Sequence, residues 1–202
     1  PNPPATAASP PALPFRVLWQ PALPDEYLRT PDDQLADRIS ARRRELGPSL
    51  VILGHHYQAD HVIRHADFTG DSLQLSQLAA AQPDAKFIVF CGVHFMAETA
   101  DLLAPPGTAV ILPDLSAGCS MADMADYDDA LLAWEAFHHH LKAAKAPARI
   151  IPITYINSSA AIKAFVGSHG AAVRTSSNAH AVLDWALAGG TPPTAKGQHL
   201  TV

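Results

Sequence analysis

The apolar positions of this chain fall in short unbroken runs and not in strict alternation. Residues 50–53 read LVIL, 87–90 FIVF, 109–112 AVIL, 150–156 IIPITYI and 171–173 AAV, each bounded by polar, proline or glycine text. A strand that is apolar at successive positions is covered on both faces, which predicts parallel sheets with helices on either side. The intervening stretches carry helical signals. "TPDDQLADRISARRRELG" has Thr30 placed as an N-cap, Pro31 in the first turn, acids early, arginines late and Gly47 as a stop,. Leu35, Ile39 and Leu46 share one face of that helix,. Further helices are predicted over 60–65, 72–81, 96–103, 129–145 and 160–165, and another begins at Asn178.

Pro105, Pro106 and Gly107 interrupt this alternation, after which it restarts,. The reading is an α/β chain of repeated three-layer αβα units with short parallel sheets. The units repeat in architecture without a repeat of sequence. The expected organisation is a proline-rich, flexible lead-in over 1–29, a first αβα domain over 30–104, a second over 105–190, and a tail over 191–202,.

Composition narrows the functional classes. The chain has 202 residues, 48% of them apolar, and a formal net charge of −5, which provides no basic face for nucleic acid,. No apolar run reaches the roughly 20 residues that span a bilayer. The amino-terminal text lacks the charged and apolar regions of a secretory signal, and a cytoplasmic location is expected,. Two cysteines are too few for a disulfide scaffold,. Cys91, inside "FIVFCGV", reads as core, whereas Cys119, in "PDLSAGCSMADM", sits among small residues after a strand. A thiolate on such a loop is a soft-metal or iron–sulfur ligand in waiting.

Ligands of parallel α/β sheets bind beyond the carboxyl ends of the strands. Here the runs end in Gly54-His55-His56-Tyr57, Cys91-Gly92-Val93-His94, Pro113-Asp114, Tyr155-Ile156-Asn157 and Thr175-Ser176-Ser177-Asn178. Five polar endings together point to one site assembled from several strands. Gly70-Asp71-Ser72 opens a helix, where free N–H groups bind anions; an ordinary Asp or Ser cap fits the same residues, and sequence physics alone favours the cap. Ser176 and Ser177 pose the same choice. His138, His139 and His140 are consecutive on a predicted helix and cannot converge on one ion,. His61 and His65 have the i, i+4 spacing of a zinc pair without an evident third ligand,.

The segments "GHHYQ", "DFTGDSLQLS", "FIVFCGVHFMAETA", "LPDLSAGCSMADM", "TYINSSAAIKAF" and "RTSSNA" stand in the order and approximate spacing of quinolinate synthase A, which the chain resembles from about residue 32 to 187. The resemblance implies a transferase of NAD biosynthesis that condenses iminoaspartate (iminosuccinate) with dihydroxyacetone phosphate to quinolinate, phosphate and water. It implies a [4Fe–4S] cluster held by one cysteine from each of three similar domains, with an open iron that acts as a Lewis acid. It also implies a functional partner, an L-aspartate oxidase or dehydrogenase supplying iminoaspartate. By position, Cys119 falls on the first cluster cysteine and His55 on a carboxylate-binding histidine. Ser72 and Ser176 fall on substrate-contacting serines, and Tyr155 and Asn157 on a Tyr-x-Asn pair lining the site. Tyr155 is the expected proton relay.

The chain also departs from that family. The family's second and third cluster cysteines, a His-Pro-Glu segment and a later threonine have no counterpart here, and "GGTPPTAKGQHLTV" reads as a truncated or divergent tail. The expectation is therefore two domains of three, a form incomplete and poorly active by itself. Two other readings stay open: a non-catalytic remnant that binds small dicarboxylates or phosphates through His55, Ser72, Tyr155 and Asn157, and a zinc hydrolase built on His61 and His65.

Overall fold

The computed structural model describes residues 20–190. Most of the expected lead-in, up to residue 19, and the tail over 191–202 lie outside the described residues. What is described is an α/β fold with two parallel sheets, one of four strands and one of two.

The chain enters through a short helix, α1 (Asp25–Arg29), and a long one, α2 (Asp32–Leu46). Thr30 does not cap α2: its hydroxyl donates to the Glu26 carbonyl at 2.6 Å and closes α1, and Pro31 takes the capping place. The first sheet contains β1 (Leu50–His55), β2 (Phe68–Gly70), β3 (Phe87–Cys91) and β4 (Ala109–Ile111) in the order β2-β1-β3-β4. Its crossovers are α3 (Asp60–Ile63), α4 (Ser72–Ala80) and α5 (His94–Leu103). β4 follows the Pro105–Gly107 breaker, and the restart of the pattern there had suggested a strand of the second unit. It instead pairs with β3, Phe87 opposite Ala109, so the first sheet extends past the breaker. A proline and glycine run turns a chain without deciding which sheet receives the next strand.

β2 is absent from the sequence reading because "DFTG" is too short and polar to register. Its register is set by Asp67, whose N–H donates to the Ile52 carbonyl at 2.7 Å while its carboxylate accepts the Ile52 N–H at 2.8 Å. Arg43 of α2 pairs with the same carboxylate. Strand alternation then sorts the layers. Val51, Leu53, Ile88 and Phe90 pack with Leu75, Ala79, Phe95, Met96 and Ala100 of α4 and α5. Leu50, Ile52, Val89 and Cys91 line the other face together with α2 and α3. The β1–α3–β2 crossover thus lies on one face and the crossovers through α4 and α5 on the other, so the connections leave β1 and β3 in opposite directions. The topological switch point lies between β1 and β3.

The second sheet is small. β5 (Ile153–Tyr155) and β6 (Ala172–Arg174) run parallel, joined by α7 (Ala160–Ser168) and flanked by α6 (Tyr127–Ala143) and α8 (Ala179–Leu187). Its core gathers Ile162, Phe165, Val166 and Ala171 against Leu131, Trp134 and Ile151, with the Trp134 and Phe165 rings edge-on at 5.7 Å.

One glycine is demanded by close packing. A Cβ on Gly54 would lie 2.5 Å from Ile63 Cδ1 and 3.0 Å from the Ala66 Cβ, which is inside van der Waals contact. Gly54→Ala is expected to lower stability by about 1–3 kcal/mol through overpacking, read as a lower urea midpoint at unchanged slope; an unchanged midpoint would show that α3 moves aside freely.

Candidate functional site

The candidate residues sit at the carboxyl ends of the strands. The register aligns three of those ends in the first sheet: His55 faces Gly70, and Gly54 faces Cys91. His55 is the last residue of β1 and is 5% exposed. The Tyr57 N–H approaches its Nδ1 at 3.4 Å, and the Tyr57 ring lies on the imidazole with centroids 3.8 Å apart. Burial, reinforced by neighbouring His56 and opposed by Asp71, pushes the His55 pKa down from 6.5 to about 4. The ring is therefore neutral near pH 7. With Nδ1 turned to a backbone donor, its proton resides on Nε2, where it can be given to an anionic oxygen.

At the start of α4 the cap is Asp71, whose Oδ1 accepts the Gln74 N–H at 2.8 Å. Ser72 is the first residue of the helix and buried, and its carbonyl accepts the Ser76 hydroxyl at 2.8 Å. The ordinary cap is thus present on Asp71, which leaves the Ser72 side chain out of the capping.

Cys119 lies in the loop after β4. The Ala117 carbonyl accepts the His94 N–H at 2.8 Å, which ties this loop to the start of α5. Asp114 turns it by accepting the Ser116 N–H and hydroxyl at 2.9 and 2.6 Å, and these bonds hold its carboxyl below the usual carboxylate range. Cys119 then opens the next turn, its carbonyl accepting the Ala122 and Asp123 N–H groups at 2.9 and 3.1 Å. Its half-buried thiol packs on the first core and receives the Asn157 amide N–H at 3.7 Å. Burial first, and Cys119 second, raise the Tyr57 phenol above its ordinary pKa. Cys91 sits in the sheet, and burial raises its thiol above the ordinary value.

The second sheet contributes Tyr155, at the end of β5, whose hydroxyl lies 2.9 Å from the Ser176 hydroxyl beyond β6. Arg174 stacks over the Tyr155 ring at 4.8 Å from its centroid. Ser177 instead pairs with Thr175 at 2.8 Å. Asn178 Oδ1 accepts the Thr175 N–H at 2.6 Å, so Asn178 stabilises the loop and does not cap α8 through its side chain.

The structure therefore joins Cys119 to Asn157 and Tyr155 to Ser176 directly, and puts His55 in ring contact with Tyr57. Ser72 opens α4 directly after Asp71, at the end of β2. Arg174, Glu98 and Lys163 make contacts beside these residues without having been singled out in the sequence, whereas Tyr57 closes the Gly54-His55-His56-Tyr57 ending named there. Tyr57 stood in the quoted "GHHYQ", Glu98 one helical turn after His94, and Lys163 alone as a cation in the apolar run "AAIKAFV".

An apolar cleft of about 380 Å³ lies elsewhere, between α2, α3 and the sheet, lined by Leu35, Ile39, Ile52, Val62 and Val89. None of His55, Ser72, Cys119, Tyr155, Asn157 and Ser176 lines it; His61, His65, Cys91 and Pro113 do. No group of three His, Cys, Asp or Glu side chains suited to holding an ion occurs among the described residues. Nor is any described helix long and apolar enough to cross a membrane.

Comparison with known proteins gives a consistent result. The model of the quinolinate synthetase A protein family matches residues 37–192. The chain is 55% identical to a quinolinate synthase of Corynebacterium glutamicum over 175 residues, covering 87% of this chain and 43% of that protein. It is 54% identical over 164 residues to the quinolinate synthase of Acidobacterium capsulatum, covering 81% and 43%. Against that of Bacillus subtilis it is 52% identical over 165 residues, covering 82% and 44%. The chain thus spans less than half the length of these relatives.

Burial of a neutral imidazole has a measurable consequence. The folded pKa of His55 lies below its unfolded value, so unfolding takes up a proton between about 4 and 6.5. The stabilisation is complete above about 6.5 and is lost as pH falls toward 4,. Between pH 7 and 5 this loss is on the order of 2 kcal/mol. His55→Gln should be spared it, so urea unfolding at the two pH values is expected to show a smaller acid penalty in the variant. Equal penalties would assign the acid sensitivity to other groups.

Proposed function

This chain belongs to the quinolinate synthase A family, and from that premise we propose that it carries substrate-binding and cluster-binding elements of a quinolinate synthase of NAD biosynthesis. The reaction proposed is condensation of iminoaspartate with dihydroxyacetone phosphate to quinolinate, phosphate and water, with iminoaspartate supplied by an L-aspartate oxidase or dehydrogenase. The observation that carries the reading is the Asn157–Cys119 contact, 3.7 Å across the gap between the two sheets. It brings the loop after β4 to the turn after β5, which follows Tyr155.

The roles follow from the chemistry of each group. Both substrates are anionic, and neutral donors are the groups that bind carboxylate and phosphate without charge of their own. His55 offers Nε2–H from a buried ring, Ser72 a hydroxyl at a helix start, and Asn157 an amide. Tyr155, hydrogen-bonded to Ser176 and covered by the Arg174 guanidinium, has a path for a proton from its phenol to a hydroxyl partner,. Cys119 is proposed as one ligand of a [4Fe–4S] cluster. A single thiolate fits one corner of such a cluster and does not hold it, so the remaining ligands are assigned to residues other than those described.

Anaerobic loading with iron and sulfide, followed by an assay for quinolinate from the two substrates, tests this reading on the protein at the full length of its relatives. Wild type is expected to bind iron and sulfide and turn over, and Cys119→Ser to lose both. Tyr155→Phe is expected to retain its iron while kcat falls about 100-fold or more. Normal turnover by Tyr155→Phe would remove the proton-relay role. Binding of dicarboxylate or phosphate without cluster or product would favour the non-catalytic remnant.

A further inference from the structure

Lys163 is the buried cation of the described structure, 1% exposed in the middle of α7. An ammonium taken out of water is costly unless its donors and charge are answered. Here the answer comes from two directions. Its Nζ donates to the Ser158 carbonyl in its own unit and lies 5.3 Å from the ring centroid of Phe95, which belongs to α5 of the first unit. Burial pulls its pKa down from 10.5 to about 8, and the Glu98 carboxylate, also on α5, acts against that shift. Glu98 is itself committed to α7: its Oε2 accepts the Ala160 N–H, the first of the helix, at 2.9 Å. Phe95 and Glu98, nearly one turn apart on α5, therefore grip the first turns of α7.

The acceptor at Ser158 is what connects this grip to the site. The Ser158 hydroxyl donates to the Tyr155 carbonyl at 2.8 Å, and its N–H to the Ile156 carbonyl at 2.9 Å. The Ile156 N–H donates to the Arg174 carbonyl at 2.8 Å. The turn after β5 is thus held at both ends, and Asn157 is the residue in its middle, with its amide on the Cys119 sulfur. A methionine at 163 would occupy similar volume without the desolvation cost, so stability alone gives no reason for a lysine. A donor that reaches the Ser158 carbonyl does.

We propose that Lys163 is a positioning residue: its buried ammonium pins the 155–158 turn against α5 and thereby aims Asn157 at Cys119. The inference goes beyond the proposed reaction and rests on that reading only in taking Asn157 and Cys119 as site residues.

The test reads the sulfur directly. Iodoacetamide alkylation of Cys119 is followed by mass spectrometry of its peptide, with the Cys91 peptide as internal control, in folded protein without metal. Asn157→Ala removes the donor on the sulfur and is expected to slow Cys119 alkylation roughly two- to tenfold, the range of one ordinary hydrogen bond. Lys163→Met, with folding verified by circular dichroism, should slow it by a similar factor. The double variant should be no slower than either single one, and Lys163→Arg should restore part of the wild-type rate. If Lys163→Met does not fold, Phe95→Leu takes its place and must shift the rate in the same direction. A clear effect of Asn157→Ala with none from Lys163→Met, or from Phe95→Leu in its stead, overturns the positioning role alone. No effect of Asn157→Ala overturns the pairing of Asn157 with Cys119, and with it both the inference and the contact on which the functional reading stands.

Discussion

The polar seam between α5 and α7 is the interaction on which the rest of the described structure depends. Each sheet has its own apolar cluster, and neither cluster crosses to the other. What joins them is a small set of directed contacts: the Glu98 carboxylate on the first N–H of α7, the Lys163 ammonium over Phe95, and the Asn157 amide on Cys119. Hydrophobic burial has no direction and would let the two units slide. Charge-assisted bonds to a helix start and to a turn carbonyl do not, because each has one geometry in which it is satisfied. The second unit needs this support, since its sheet consists of two three-residue strands, too little for independent stability.

That seam turns two collections of strand ends into one surface. In the first unit, the connections from β1 and β3 run in opposite directions, and His55 stands at the carboxyl end of β1. In the second, the chain leaves β5 through a turn so closely bonded that Asn157 has little choice of direction. Cys119 is presented between them by a loop anchored through Asp114, Ser116 and the start of α5. The chemistry offered there is mostly neutral: a buried imidazole, hydroxyls, an amide and a thiol. For the proposed anionic substrates, neutral donors avoid burying opposite charges before the ligand arrives, and the helix start at Ser72 adds a favourable field at no titration cost.

Much of this was legible from residue order. Unbroken apolar runs separated by amphipathic stretches specify buried parallel strands with helices between them, because only such strands can be apolar at every position. The parallel sheets, most of the helices and the polar character of the strand ends all follow from that pattern, and the quoted motifs carry the family by themselves. Local chemistry was less dependable where two residues compete for one role. Thr30 reads as a cap, yet it closes the helix before it; Asp71 and Ser72 both read as caps, and Asp71 takes that bond.

Only the tertiary structure decided which sheet received β4, since strand pairing across a turn is a long-range choice that a proline and glycine run does not encode. The same holds for β2, which exists because Asp67 completes the edge of β1 from outside the strand. It holds above all for Lys163, which in sequence is one cation in a run of alanines and apolar residues. Its role becomes visible when α5 arrives beside it with a ring and a carboxylate. The sequence by itself determined most of the elements, their class and the candidate residues. The fold decided which of those residues meet, because contact across 38 residues from Cys119 to Asn157 is a property of packing and not of spacing.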